Sequence, residues 1–333
     1  MIMQLTGVLM ALVMALFTMS CATSRSNDVR PIRSGWPVET SALSWLMKQQ
    51  NGDGHWGEGG NSVALTSLAT LAFLSRGETP ASSTYGRCVE NALCALLRDM
   101  DAQNKRMPET EAIHAWCLAA AYSMTLNPTI LDSMRVQFER LDFCHATPWH
   151  VFAAKALATS GAWYSDLGNS ALATMRSTLI NQPDSLLNQA THVLLGMSNR
   201  DLKQTHIHLD AVRRLSPAKW REQETPLLSA LMLSTVFLWT GGQEWKDWHK
   251  IFYPDVISRQ SAENSLGWWP AETLLIDPLS LPAFARSDTS VYVTCMVLLT
   301  FPPERILPST MHTEPLEKDL WDDEDEIKIE VGI

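Results

Sequence analysis

"WLMKQQNGDGHWG", residues 45–57, decides the fold. A helix-like run ends at Asn51-Gly52, and a loop with three glycines then carries Trp56. Tryptophan buries a large surface and its indole N–H needs a partner. On a turn-forming segment it is either a surface offered to a ligand or a stitch between structural repeats. The chain is rich in it, with 13 Trp against 9 Phe and 5 Tyr, so the same device is expected to recur or to line a pocket.

Upstream, Glu39-Thr40-Ser41 offers N-caps, and Ala42, Leu43, Trp45 and Leu46 begin a helix. Downstream, "NSVALTSLATLAFLSRGETP" (61–80) carries Val63, Leu65, Leu68, Leu71, Ala72 and Leu74 with only small residues between them. A helix apolar nearly all round is a buried one. Gly77 closes it and Pro80 prevents its return. The alternation of an amphipathic helix with an apolar one repeats along the chain. "YGRCVENALCALLRDM" precedes "EAIHAWCLAAAYSMT", and "PTILDSMRVQFERL" precedes "PWHVFAAKALATSG". "LGNSALATMRSTLI" leads to "DSLLNQATHVLLGM", "IHLDAVRRL" to "TPLLSALMLSTVFLWTGG", and "DWHKIFYPDVISRQ" to "SDTSVYVTCMVLLTF". The pattern predicts an all-α fold of about six helix pairs at a period of roughly 35 to 50 residues, each pair unable to bury its apolar face alone. Strand signals are weak throughout.

The opening stretch, with Trp45, Leu46, Gln50, Gly54 and Trp56 in the spacing W-L-x-x-x-Q-x-x-x-G-x-W, resembles the QW motif of squalene–hopene cyclases and related terpene cyclases. The same repeat superfamily includes protein prenyltransferase β-subunits. A looser copy lies in "SRQSAENSLGWWP", with Gln260, Gly267 and Trp268. Residues 41–302 as a whole look most like bacterial proteins with prenyltransferase and squalene-oxidase repeats. The resemblance implies an α/α toroid, with inner helices around a central cavity and outer helices around them. It also implies that Gln50 meets the N-terminus of the next outer helix and that Trp56 clamps one repeat to its neighbour, which makes both structural. Gly54 permits the close approach.

The chemistry of that family is harder to find. The Asp-x-Asp-Asp acid that starts cation cyclisation needs a carboxylic acid facing a dry pocket, and the domain has no such sequence. The nearest match, "DDEDE" (322–326), reads as a solvated acidic tail. The family's zinc site needs Asp, Cys and His, and Asp288 stands seven positions before Cys295 rather than two. His206 and His208 would point apart on a helix or a strand, with no third ligand near. No metal, cofactor, phosphate loop or hydrolase motif is expected. Polar residues near inner-helix N-termini remain as candidates: Glu111, His114, His150 and Asp288 for acid–base work, and Asn61, Trp149, His192, Thr289 and Tyr292 as cavity lining. Glu111 with His114, three apart on one helix face, or with His150 would form an acid–base pair in a cavity; the alternative is a capping acid and a buried, hydrogen-bonded histidine.

Net charge is −10, of which −7 falls in residues 314–330, and no basic patch argues for nucleic acid. Five of the six cysteines (Cys88, Cys94, Cys117, Cys144, Cys295) lack a C-x-x-C spacing and read as small buried residues, with room for one disulfide if the protein is exported. "TGVLMALVMALFTMSCATS" (6–24) reads as an export signal, with "TMSC" resembling a lipobox and Cys21 as the residue to be acylated. The expected order is therefore signal (1–21), linker (22–40), toroid (41–302) and an acidic, disordered tail (303–333). The expected protein is a non-catalytic binding or scaffold module of the bacterial cell envelope, a membrane-anchored lipoprotein facing the periplasm or else secreted. It would take an apolar, isoprenoid-like ligand or a protein segment. An enzyme acting on an isoprenoid or lipid-like substrate in the central cavity is the alternative.

Overall fold

The computed structural model describes residues 36–59, 62–101, 106–160, 165–179, 185–196 and 202–301. The signal with Cys21, nearly all of the linker, Asn61 and the acidic tail lie outside them. Among the described residues twelve α-helices follow in order: α1 (Trp36–Gln49), α2 (Ser62–Leu74), α3 (Gly86–Arg98), α4 (Pro108–Thr125), α5 (Pro128–Glu139), α6 (Pro148–Thr159), α7 (Ser165–Leu179), α8 (Leu186–Gly196), α9 (Leu202–Arg213), α10 (Pro226–Thr240), α11 (Gly242–Ile257) and α12 (Thr289–Thr300). The fold is all-α, and those from Val38 onward belong to one compact unit. No helix among the described residues is long and apolar enough to cross a membrane.

The helices divide by composition into two sets. Most of the even-numbered ones are apolar and buried on nearly all sides: every residue of α2 from Val63 to Leu74 is buried, and α10 is buried from Pro226 to Phe237, whereas α8 is half-buried at residues 186–189 and at His192. Odd-numbered helices are one-sided. In α3, Cys88, Val89, Ala92, Leu93 and Leu96 are buried, whereas Glu90, Asn91 and Cys94 face water. Each even helix packs on the next, α2 on α4, α4 on α6, and so through α8 and α10 to α12; α12 packs back on α2. Helices α3, α5, α7, α9 and α11 each pack on the even helix that precedes or adjoins them. Helix starts are set locally. Pro108, Pro128, Pro148 and Pro226 occupy first positions, where a missing N–H costs nothing. Asn127 and Asp288 cap by accepting from Thr129 N and Val291 N.

Loops ahead of successive even helices meet at one end. His55 Nε2 is 3.0 Å from Asp99 Oδ2, Arg98 donates to Asp53 O and Arg140 donates to Met100 O. The opposite ends meet at Arg76, which donates to Leu298 O and Phe301 O, the terminal carbonyls of α12, and pairs with Glu39 at 3.1 Å. A cation there satisfies orphan carbonyls and opposes the helix dipole.

One element departs from the sequence reading. Ser261–Glu263 and Leu266–Trp268 form a two-stranded antiparallel hairpin, β1 and β2, with Ser261 opposite Trp268. Its turn is Asn264-Ser265, both at positive φ (51° and 66°), the backbone of a primed two-residue turn whose twist suits a hairpin. Three short 3₁₀ turns between Ala271 and Ala285 then connect it to α12.

Candidate functional site

The two QW-like copies build the same joint. In the first, Trp56 is fully buried; its Nε1 donates to Leu46 O (2.8 Å) and its backbone N donates to Thr66 Oγ1 in α2 (3.0 Å). Gln50 Nε2 donates to Gly54 O and to Cys88 O, both at 3.0 Å, and Cys88 is the third residue of α3. In the second, Trp269 is fully buried; its Nε1 donates to Val256 O (2.8 Å) and its N to Thr294 Oγ1 in α12 (3.0 Å). Gln260 Nε2 donates to Val38 O (2.9 Å), the third residue of α1.

The second clamp is therefore Trp269 and not Trp268, the residue expected from sequence. Both copies keep Gly-x-Trp, as Gly54-His55-Trp56 and Gly267-Trp268-Trp269, and the hairpin accounts for the longer gap from Gln260. Trp268 instead stacks on Trp45 with centroids 5.8 Å apart and planes at 14°. Both glycines stand where a side chain cannot. A Cβ on Gly54 (φ +95°) would lie 2.5 Å from Asn91 O, and one on Gly267 would lie 2.5 Å from Gln260 and Ser41.

The acid–base candidates sit in separate settings. Glu111, in the first turn of α4, accepts from the Gln137 side-chain amide and lies 3.9 Å from Arg106 Nη1. His114, fully buried, places Nδ1 3.4 Å from the same Arg106 nitrogen. A guanidinium only donates, so Nδ1 accepts and the proton resides on Nε2. Burial, with Arg106 and Arg140 nearby, lowers the His114 pKa to about 3, so the ring is neutral. Its Nε2 is buried without a hydrogen-bond partner, as are Ser67 Oγ and Trp116 Nε1. Arg106 thus faces both members of the suggested pair.

His150 forms a capping box with Thr147: its Nδ1 accepts from Thr147 N at 3.1 Å. Burial lowers its pKa to about 4, with Asp142 acting weakly the other way. Asp288 caps α12; partial burial raises its carboxyl, with the Val291 N–H opposing. Thr289 follows it, half-buried, and Tyr292 is buried against Phe284, its phenol pushed upward by burial. Trp149 is core, beside Trp116 and Phe152. His192 stacks on His208 at 4.3 Å, and His208 Nδ1 meets Gln189 Oε1. The His206 side chain lies outside the described residues. Among these residues no three His, Cys, Asp or Glu side chains come together as a metal site. The five cysteines are free thiols. Cys88, Cys117 and Cys295 are buried; Cys94 and Cys144 are exposed, against expectation, because one falls on the wet face of α3 and the other in a 3₁₀ turn.

Sequence reasoning passed over Lys155. It is the lone charge in "PWHVFAAKALAT", an otherwise apolar helix, and that isolation was the available signal. It is 3% exposed, and its Nζ lies over the Trp239 ring, 5.0 Å from the centroid. Burial, and then the charge of Arg176, lower its pKa to about 7.

A groove of about 390 Å³ opens between α3 and the α4–α5 turn, lined by Leu93, Leu97, Met124, Ile130, Glu90 and Cys94 among others. Comparison of the chain with known protein families, curated proteins and solved structures gave no match in any of the three.

Proposed function

We propose that the chain is an α/α toroid of the prenyltransferase and squalene-oxidase repeat type, acting as a non-catalytic scaffold that holds a protein segment at the cell envelope. The toroid rests on the packing order of the even helices, which returns from α12 to α2, and on two equivalent Trp clamps of which the second bonds back to α1. One observation supports the non-catalytic reading: inner helices such as α2 and α10 are buried around their full circumference, as in Val63–Leu74 and Pro226–Phe237, which favours an interior occupied by the chain's own side chains. Glu111, His114, His150 and Asp288 each have a structural partner or cap. The groove beside α3 supplies the apolar lining and the size that an anchoring side chain needs.

The test is purification of the full chain from its own membrane, followed by native mass spectrometry. The expected result is a co-purifying polypeptide, lost in a Leu97→Arg variant that keeps the wild-type melting temperature. A retained apolar small molecule, turned over by wild type but not by Glu111→Ala, would establish the enzyme instead.

A further inference from the structure

The chain leaves α12 close to the groove beside α3. Arg76, just after α2, donates to Phe301 O at 3.1 Å. Three residues further on, Thr79 and Pro80 form one wall of the groove, and three residues span at most about 11 Å. Phe301 has already turned out of the helix, with φ −64° and ψ 142°, the extended backbone that a following proline favours. The sequence then runs Pro302-Pro303-Glu304-Arg305-Ile306-Leu307-Pro308. Residues 302–307 span about 20 Å when extended, which covers the path past Arg76 to Thr79.

The groove and this stretch match in chemistry. Leu93, Leu97, Met124 and Ile130 make the lining apolar. Glu90 is the one charge among its described lining residues; it is exposed, and no cation among the described residues pairs with it. Ile306 and Leu307 offer two adjacent branched apolar side chains, and Arg305 puts a cation beside them. The acidic stretch 314–330 would bring like charge to Glu90 instead. Prolines on both sides of 304–307 restrict the free chain and lower the entropy lost on docking.

We propose that Arg305-Ile306-Leu307 docks in this groove in cis, with Ile306 and Leu307 on the apolar lining and Arg305 at Glu90. The docked segment is then a cap that a partner segment has to displace. That competition rests on the scaffold reading; the docking itself does not.

Cys94 reports on the groove, because its free, exposed thiol lines it; Cys144, also free and exposed, follows α5 and serves as the internal control. The test is the rate at which a bulky maleimide labels each thiol, read by peptide mass spectrometry. It uses the full chain, shown by native mass spectrometry to be monomeric and free of other polypeptides. Ile306→Asp/Leu307→Asp is expected to speed the labelling of Cys94 by about threefold or more, as follows if the segment covers the groove about two-thirds of the time. Cys144 should label as in wild type. In a glutathione redox buffer, Leu307→Cys is expected to form a disulfide with Cys94 and not with Cys144, and to lose it when Leu97→Arg is added. An unchanged rate at Cys94 in Ile306→Asp/Leu307→Asp would overturn the inference. So would a rise confined to Ile32→Asp, which would make the linker the occupant, and so would protection that grows with protein concentration, which would make it a second copy. The scaffold reading fails on a different result: no polypeptide co-purifying from the membrane with either wild type or Ile306→Asp/Leu307→Asp.

Discussion

Trp56 and Trp269 each combine a buried ring with one N–H that has one acceptor, so their two contributions can be separated. Trp56→Phe keeps most of the apolar contact and leaves Leu46 O unpaired. It is expected to cost about 1–3 kcal/mol, whereas Trp56→Ala adds a cavity and is expected to cost about 3–5 kcal/mol. Chemical denaturation of both variants checks the order, and equal losses would mean that the apolar packing of the ring contributes nothing beyond the hydrogen bond. A second residue-scale expectation concerns acid. His114 and His150 have folded pKa values of about 3 and about 4, below the ordinary 6.5. Between those values and 6.5 the unfolded chain binds protons that the folded chain refuses. Stability is therefore full above pH 6.5 and falls as pH drops towards 4, with a slope of up to about 1.4 kcal/mol per pH unit for each group. In urea titrations His114→Gln is expected to flatten that slope; an unchanged profile would show that His114 takes up its proton within the fold. The sequence showed where these histidines stand but not their environment, because Arg106 reaches His114 from outside the helix that carries it.

At the scale of elements, the helices were legible and the hairpin was not. Runs such as "SVALTSLATLAFL" admit one reading, since a helix without a polar face must be covered on every side. "SAENSLGW" has too little β-branched or aromatic content to announce strands. What makes the hairpin is the left-handed pair Asn264-Ser265 and the packing of Gly267 against Gln260 and Ser41. The choice between Trp268 and Trp269 turned on the same element. Counting from Gln260 favours neither, while counting from glycine, as in Gly54-His55-Trp56, selects Trp269. Gly267→Ala is expected to push the Gln260 amide off Val38 O, because the added Cβ would sit 2.5 Å from it. The expected loss is about 1–3 kcal/mol, read as a lowered denaturation midpoint. Gly52→Ala is the control, since a Cβ there meets nothing within 4 Å. Equal effects of the two substitutions would remove close packing as the reason for Gly267.

At the scale of the whole molecule the question is whether the helix pairs form an open stack or a closed circuit, because the two distribute stability differently. In an open stack each repeat senses only its neighbours in sequence, and damage at the last joint stays at that end. Here the last joint bonds to the first helix. Gln260 donates to Val38 O, Trp268 stacks on Trp45, and Arg76 after α2 holds the terminal carbonyls of α12. Gln260→Ala removes one of these contacts without emptying the core. Hydrogen exchange followed by peptide mass spectrometry is expected to show lost protection in 253–260, beside the substitution, and also in 42–49, more than 200 positions away in the chain. Gln50→Ala, at the equivalent joint between α1 and α3, should loosen 42–49 and 86–93 and leave 253–260 as in wild type on the timescale of local opening. If Gln260→Ala leaves the protection of 42–49 unchanged, the circuit is not energetically closed and the repeats behave as a stack whose two ends happen to touch.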